Sequence, residues 1–327
     1  MEIRGKAGIK ELYAPSYARW LGAVALDWAI IVVTFGAIDR VEGLALKVVA
    51  GVVGSWVIGT RQHALAILGH EGAHGLVSRR KWLNDWSTRL LCFAPLGVDL
   101  EQYEGFHRAH HVANGTGDDP ELVFKRLEGK WELPLTPGRL ARYVLTDLLG
   151  AGAPFALGLA VGLHPRNARG RLALLGWWGA ALGVVAWSGR WLIPGIWAVA
   201  FVTSFWCVFR LRMWTEHVGT ATTHTITASW WQRAIFLPHS TWLHDVHHAN
   251  VNIPCYHLRR ARAYYPATAG VQTVGEVLRA LYHGAPDAAG SPRAAFGPNA
   301  ARTRADDSQA PSAPRRLHPE RARADAG

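Results

Sequence analysis

The sequence predicts an all-α integral membrane protein: four transmembrane helices with a cytoplasmic helical cap holding a histidine-rich site for two metal ions. Three observations carry this. Half of the 327 residues are hydrophobic and only 18% are charged, below the roughly 25% of a soluble domain. The apolar residues gather in stretches near the roughly 20 residues that a bilayer-spanning helix needs. Nine histidines fall into three boxes and a singleton beside those stretches: His70-x-x-x-His74, His107-x-x-His110-His111, His244-x-x-His247-His248, and His217.

In chain order, residues 1–19 read as a cytoplasmic lead-in and 20–283 as the membrane domain. Trp20 to Ile38 is the first span. Leu44 to Thr60 is the second, continuing as helix through Arg61 towards His70. Residues 82–98 are apolar but broken by Asn84, Asp85, Arg89 and Pro95, so they are expected to lie on the membrane or dip into it. Three apolar stretches follow box two, at 140–163, 172–188 and 192–209. The second and third boxes can share one membrane face only if an even number of spans separates them. The stretch at 140–163 carries Arg142, Asp147, Gly150, Gly152 and Pro154, and is read as interfacial or re-entrant. The other two form a hairpin over Gly189-Arg190. Residues 271–283 have helical apolar spacing. From 284 to 327 the chain is Ala, Pro, Arg, Gly and Ser, and is expected to be a disordered tail.

The net charge is +11. Basic residues cluster beside the apolar segments (Arg79, Arg80, Lys81; Arg166, Arg169, Arg171; Arg210, Arg212; Arg259, Arg260, Arg262), as juxtamembrane residues facing anionic lipid do; no nucleic-acid partner is expected. The three cysteines, at 92, 207 and 255, form no CxxC pair and suggest neither a disulfide framework nor a zinc ribbon. The basic N-terminus precedes an apolar run containing Asp27, which reads as a first span rather than a removable signal peptide.

Histidines four apart share a helix face, so His70 and His74 suit one ion. In each HxxHH box the adjacent pair diverges by about 100° around the helix axis, so one box can reach two ions. One zinc takes three or four ligands; eight or nine histidines suit two ions. Imidazole binds iron, copper and zinc alike, so the residue type does not choose the metal. His217 follows the last span at the same face and is read as a further ligand, with Glu216 either orienting a ligand or a solvated charge. His63 shares the face of His70. His239 is a weaker candidate. His164, His224, His257 and His283 are read as surface or loop residues. Asp118, Asp119 and Asp245 are candidates to hydrogen-bond ligand imidazoles. The string His70-Glu71-Gly72-Ala73-His74 also matches the HExxH signature of zinc proteases, with Glu71 as general base, but that reading gives no reason for two further boxes.

The chain resembles the membrane fatty acid desaturase superfamily, which also contains hydroxylases and carotenoid ketolases. The carriers are Gly69-His-Glu-Gly-Ala-His-Gly75, Phe106-His-Arg-Ala-His-His111 with Asp118-Asp-Pro-Glu-Leu122, Leu211-Arg-Met-Trp-Thr-Glu-His217, and Leu237-Pro-His-Ser-Thr-Trp-Leu-His-Asp-Val-His-His248. The resemblance covers about residues 20–283. It implies two iron ions held by His70, His74, His107, His110, His111, His217, His244, His247 and His248, with O2 as co-substrate and no catalytic residue beyond these ligands. The expected reaction is introduction of a double bond into an acyl or lipid chain. The alternatives on the same scaffold are a hydroxylase or ketolase; a membrane zinc protease and a non-enzymatic metal binder are more distant. The substrate is an acyl lipid or acyl carrier. Without a fused haem or flavin domain, electrons come from an external ferredoxin or cytochrome. The third box departs from the commoner Asn-x-x-x-His-x-x-His-His pattern by carrying Ser240 in place of the asparagine.

Overall fold

A computed structural model of the chain describes residues 6–283, apart from 115, 128, 132, 218–222 and 268–269. Residues 1–5 and the tail expected over 284–327 lie outside the described residues. Among the described residues four helices are long and apolar enough to cross a membrane: α1 (Tyr17–Arg40), α2 (Leu44–Ala73), and, after the shorter α3 (Leu100–Ala113), α4 (Pro137–Leu148) and α5 (Ala153–Gly162), the pair α6 (Ala168–Ser188) and α7 (Leu192–His217). The second apolar stretch does continue without interruption through Arg61 to the first histidine box. Beyond α7 the cap is completed by α8 (His244–Ala249) and α9 (Val274–His283). Leu26, Val32, Val33, Leu46, Val52, Leu175 and Val184 are exposed along the spans, as lipid-facing side chains are.

Helices α4 and α5 are bent by 68° at their break. Gly150, at φ +84°, supplies the turn, and Pro154 opens α5 at a position where its missing N–H costs nothing. This is the broken geometry expected from the Gly and Pro residues. The stretch at 82–98 is a helix (Lys81–Thr88) followed by a π-helical turn at Arg89–Phe93. It packs against α2 and α6 rather than lying free on the surface, and Asn84, Arg89, Cys92 and Phe93 are buried.

The heavy use of tryptophan has a physical role here. A backbone carbonyl in an apolar medium needs a donor. Trp28 Nε1 donates to Leu91 O at 2.9 Å, Trp178 Nε1 to Ala94 O at 3.0 Å, and Trp20 Nε1 to Leu68 O at 3.1 Å. Each indole thus ties two elements together while burying a large apolar body.

Close approach sets the α2–α7 pair. α7 contains a π-helical turn at Phe201–Phe205, and Ser204 Oγ donates to Ser55 O at 2.7 Å. A Cβ at Gly59 would collide with Ser204 and the Phe205 backbone. Gly69 and Gly72 likewise lie against Phe93 and Thr88, so the turn of α2 that carries box one is seated directly on the 81–96 segment.

Arg210, grouped by sequence with the juxtamembrane basic residues, is buried instead. Arg210 donates from Nε to Asp147 Oδ2 at 2.5 Å and lies over the rings of Trp131, Trp206 and Trp214; Lys130 Nζ is 2.7 Å from the same carboxylate. Clustering along the chain does not reveal that an acid three helices away neutralises the charge. A smaller correction concerns 271–283: Val271–Thr273 is a strand paired in parallel with Thr225–Thr227, and only then does α9 begin. The lead-in also takes part in the cap, since Leu12 is buried among Leu243, Val246, Ile253 and Leu258.

Candidate metal centre

The histidines sit where α2, α3, α7 and α8 end or begin at one end of the bundle. Box one occupies the last turn of α2, which stops at Gly75 with φ +74°. Box two lies on α3, whose N-cap Asp99 accepts from Gln102 N at 3.1 Å. His217 closes α7. Box three fills the six-residue α8, too short to hold itself. It is anchored through Asp245, which pairs with Arg262 at 2.6 Å and accepts from Thr225 Oγ1 at 2.7 Å on the small sheet.

All nine predicted histidines converge. His70, His74, His107, His111 and His247 form one group whose potential ligand atoms lie within 4.8 Å of one another. His110, His217 and His248 form a second group, and His217 and His244 group with Glu216. Each HxxHH box is therefore divided, His110 parting from His107 and His111 and His247 from His244 and His248, as the 100° divergence predicts.

The spacing and chemistry of these groups fit resident metal. His107 Nε2 is 3.0 Å from His74 Nε2 and 2.8 Å from His111 Nε2, and His247 Nε2 is 3.3 Å from His111 Nε2. Nitrogens bound to one ion at about 2.1 Å stand about 3.0–3.4 Å apart for octahedral to tetrahedral angles. His70 Nε2 is buried with no hydrogen-bond partner among the described residues, an expensive state for a polar atom that a bound ion would relieve. Metal binding also requires neutral imidazole. Burial, helped by His111 and Arg108, lowers His74 to about 3. Burial, helped by His110, lowers His111 to about 4. Burial likewise holds His107, His244, His247 and His248 well below the usual range.

Carboxylates and an amide stand behind the ring nitrogens. Asp119 Oδ1 is 2.9 Å and Glu121 Oε2 3.6 Å from His110 Nδ1. An ionised carboxylate only accepts, so Nδ1 carries the proton and Nε2 is left for metal. Burial lowers the His110 pKa, but Glu121 and Asp119 outweigh it and the net direction is up. Burial would raise Glu121, yet Lys125, His110 and His217 hold it well below the carboxylate range. Glu216 Oε1 lies 3.6 Å from His244 Nδ1 and accepts from Arg212 Nε at 2.6 Å. The Asn114 amide lies 3.1 Å from His248 Nδ1.

Other sequence candidates fall elsewhere. His239 Nε2 is 2.8 Å from Asp27 Oδ2, in a buried network with Arg61, and does not join either group. His63 is fully buried beside Phe205 with no described partner on either nitrogen. His224 and His257, read as surface or loop, are buried; no spacing signal marked them. Of the three aspartates, Asp119 meets a box imidazole, at His110 Nδ1, while Asp245 anchors α8 and Asp118 is exposed. Sequence reasoning missed Asn114, which caps the end of α3, and Glu121, in the first turn of the short helix Pro120–Arg126 that follows. Glu71, the general base of the protease reading, accepts the Cys255 N–H at 2.8 Å and is buried, which ties it to a neighbouring loop rather than to an open water site.

An apolar pocket leads to this centre. Its walls include Phe93, Tyr103, Phe106, Phe124, Leu159 and Trp206, and His70, His107, His110 and His244 stand along it. A separate opening at His74, His107 and His111 is walled by Glu104, Arg108 and Asn252.

The sequence profile of the fatty acid desaturase family matches residues 47–275, the stretch that holds all nine histidines. Similar curated proteins are two sn-1 acyl-lipid omega-3 desaturases (ferredoxin). One, from Synechocystis sp. (strain ATCC 27184 / PCC 6803 / Kazusa), is 27% identical over 136 residues, covering 41% of this chain and 36% of that protein. The other, from Nostoc sp. (strain 36), is 31% identical over 107 residues, covering 30% and 29%. The matches span about a third of the length of these relatives. With spans, histidine boxes and profile in agreement, this chain belongs to the fatty acid desaturase family.

Proposed function

We propose that the protein is an integral membrane di-iron desaturase that introduces a double bond into the acyl chain of a lipid, using O2 and electrons from a ferredoxin. The observation that carries this is the split of nine imidazoles into two adjoining groups at the end of an apolar pocket. Iron with O2 supplies an oxidant for unactivated C–H bonds, which side-chain acid–base chemistry does not reach. The balance is a –CH2–CH2– unit, one O2, two electrons and two protons giving –CH=CH– and two waters.

The residues divide the work. His70, His74, His107, His111 and His247 hold one ion; His110, His217, His244 and His248 hold the other. Asp119, Glu121 and Glu216 orient the imidazoles behind them. Phe93, Tyr103, Phe106, Phe124 and Trp206 hold the chain straight and keep water away from it. The donor reading rests on the ferredoxin-dependent relatives and on the exposed basic residues Arg79, Arg80, Arg108, Arg259 and Arg260 of the cap, which suit an acidic protein. With the positive-inside rule, these residues support the reading of the metal end as cytoplasmic. Residues 20–283 form the membrane domain in this reading.

Membranes containing the protein, supplied with iron, O2, ferredoxin and reductant, test the reaction by lipid mass spectrometry. A product lacking two hydrogens is expected; one gaining an oxygen moves the protein to the hydroxylases.

A further inference from the structure

The inner pocket has an apolar neighbour. A second apolar cleft, walled by Phe106, Phe124, Leu127, Pro154, Phe155, Gly158, Leu159, Gly162 and Leu163, adjoins it. Phe106, Phe124, Leu159 and Leu163 belong to both. The two therefore meet across one thin wall. The arrangement follows from α5. Phe155, Gly158, Leu159 and Gly162 follow helical spacing and line the outer cleft, while Ala156, Leu159, Ala160 and Leu163, one step around the axis, line the inner pocket.

The surroundings of the outer cleft are apolar. Leu127, Leu149, Leu157 and Val161 are all exposed, so four large apolar side chains would face water unless hydrocarbon covers them. Gly158 and Gly162 are exposed, and a Cβ at either meets nothing within 4 Å. The cleft floor is low where a chain would cross it. By contrast, the opening at His74 and His111 is edged by Glu104, Arg108 and Asn252 and does not suit a hydrocarbon.

We propose that the acyl chain reaches the histidines sideways from the bilayer, passing over Gly158 and Gly162 of α5 between Phe106 and Phe124. This rests on the reading of the protein as a lipid desaturase and narrows it: the substrate is a chain carried by a bilayer lipid, not one delivered by a soluble carrier protein. The bend between α4 and α5 then has a role, since it lays α5 alongside the pocket rather than across the membrane.

The test reads position before it reads turnover. The full chain is placed in phospholipid vesicles containing a phospholipid with a photoreactive diazirine near the end of one acyl chain. After illumination, labelled residues are mapped by mass spectrometry in wild type, Gly158→Trp and Gly179→Trp. Gly179 lies exposed on α6 with open space around it and serves as the bulk-matched control. Label on the pocket residues Tyr103 and Met213 is expected in wild type and Gly179→Trp and lost in Gly158→Trp, with iron content unchanged in all three. Pocket label persisting in Gly158→Trp, or absent from wild type, overturns the portal. Pocket label without any desaturated product leaves the portal standing and overturns the assigned reaction, so the two failures are distinguishable.

Discussion

His110 and His111 are adjacent in sequence and belong to different halves of the centre. His111 Nε2 lies 3.3 Å from His247 Nε2 in the five-histidine group, while His110 turns its Nδ1 to Asp119 at 2.9 Å and groups with His217 and His248. One helix turn thus contributes to both groups, and the HxxHH spacing acquires a purpose: a single rigid element fixes how far apart the two groups stand.

This separation predicts partial metal loss. His74→Ala is expected to lose one ion of the pair and His217→Ala the other, each retaining part of the iron of the wild type. Elemental analysis of purified protein checks this. Equal and complete loss from both variants would mean that the two groups act as one site.

Asp119 should matter without touching metal. Removing a carboxylate that orients a ligand imidazole typically costs about 10–100-fold in metal affinity or activity. Asp119→Ala is therefore expected to release iron to a chelator more readily, while Asp245→Ala is expected to loosen α8 and lower the thermal midpoint. Chelator competition and thermal unfolding separate the two effects.

The buried Asp147–Arg210 pair gives a stability prediction. Breaking a buried ion pair by removing one partner costs about 3–5 kcal/mol, whereas replacing both by apolar residues is often neutral. Arg210→Met leaves Asp147 with Lys130 alone, and should lower the unfolding midpoint markedly in detergent. Asp147→Leu with Arg210→Met should recover much of that loss.

Acid should destabilise the metal-free protein. His74 and His111 are held at about 3 and about 4, against the usual 6.5, chiefly by burial. A histidine lowered in the folded state binds fewer protons than in the unfolded chain, so stability is full above 6.5 and falls as pH drops from there towards 4. His110, shifted upward, opposes this as one group against several. Unfolding midpoints of metal-free protein at pH 7.5 and pH 5 should differ, with the lower value at pH 5; a flat profile would contradict neutral, buried imidazoles.

Much of this was legible in the chain. Long apolar runs announce the four spans because a bilayer leaves few other ways to satisfy backbone groups. Box spacing announces the centre because ligands on short helices repeat every three or four residues. His217 was legible from its place at the end of α7. What escaped depends on contacts between distant segments. Arg210 looked like surface charge because Asp147 lies on another helix. His239 looked like a weak metal candidate, but its ring meets Asp27 of α1, at |i−j| = 212. Val271–Thr273 kept a helical pattern, yet pairing with Thr225–Thr227 decided their conformation. Local pattern predicts local structure; charge partners and strand pairs belong to the fold.

The central claim is that the nine-histidine centre oxidises a lipid acyl chain. The most direct measurement is lipid mass spectrometry of membranes carrying wild type or His107→Ala, with O2, iron, ferredoxin and reductant. The account predicts an acyl product lacking two hydrogens in wild type and none in His107→Ala. An acyl profile identical in both would contradict it.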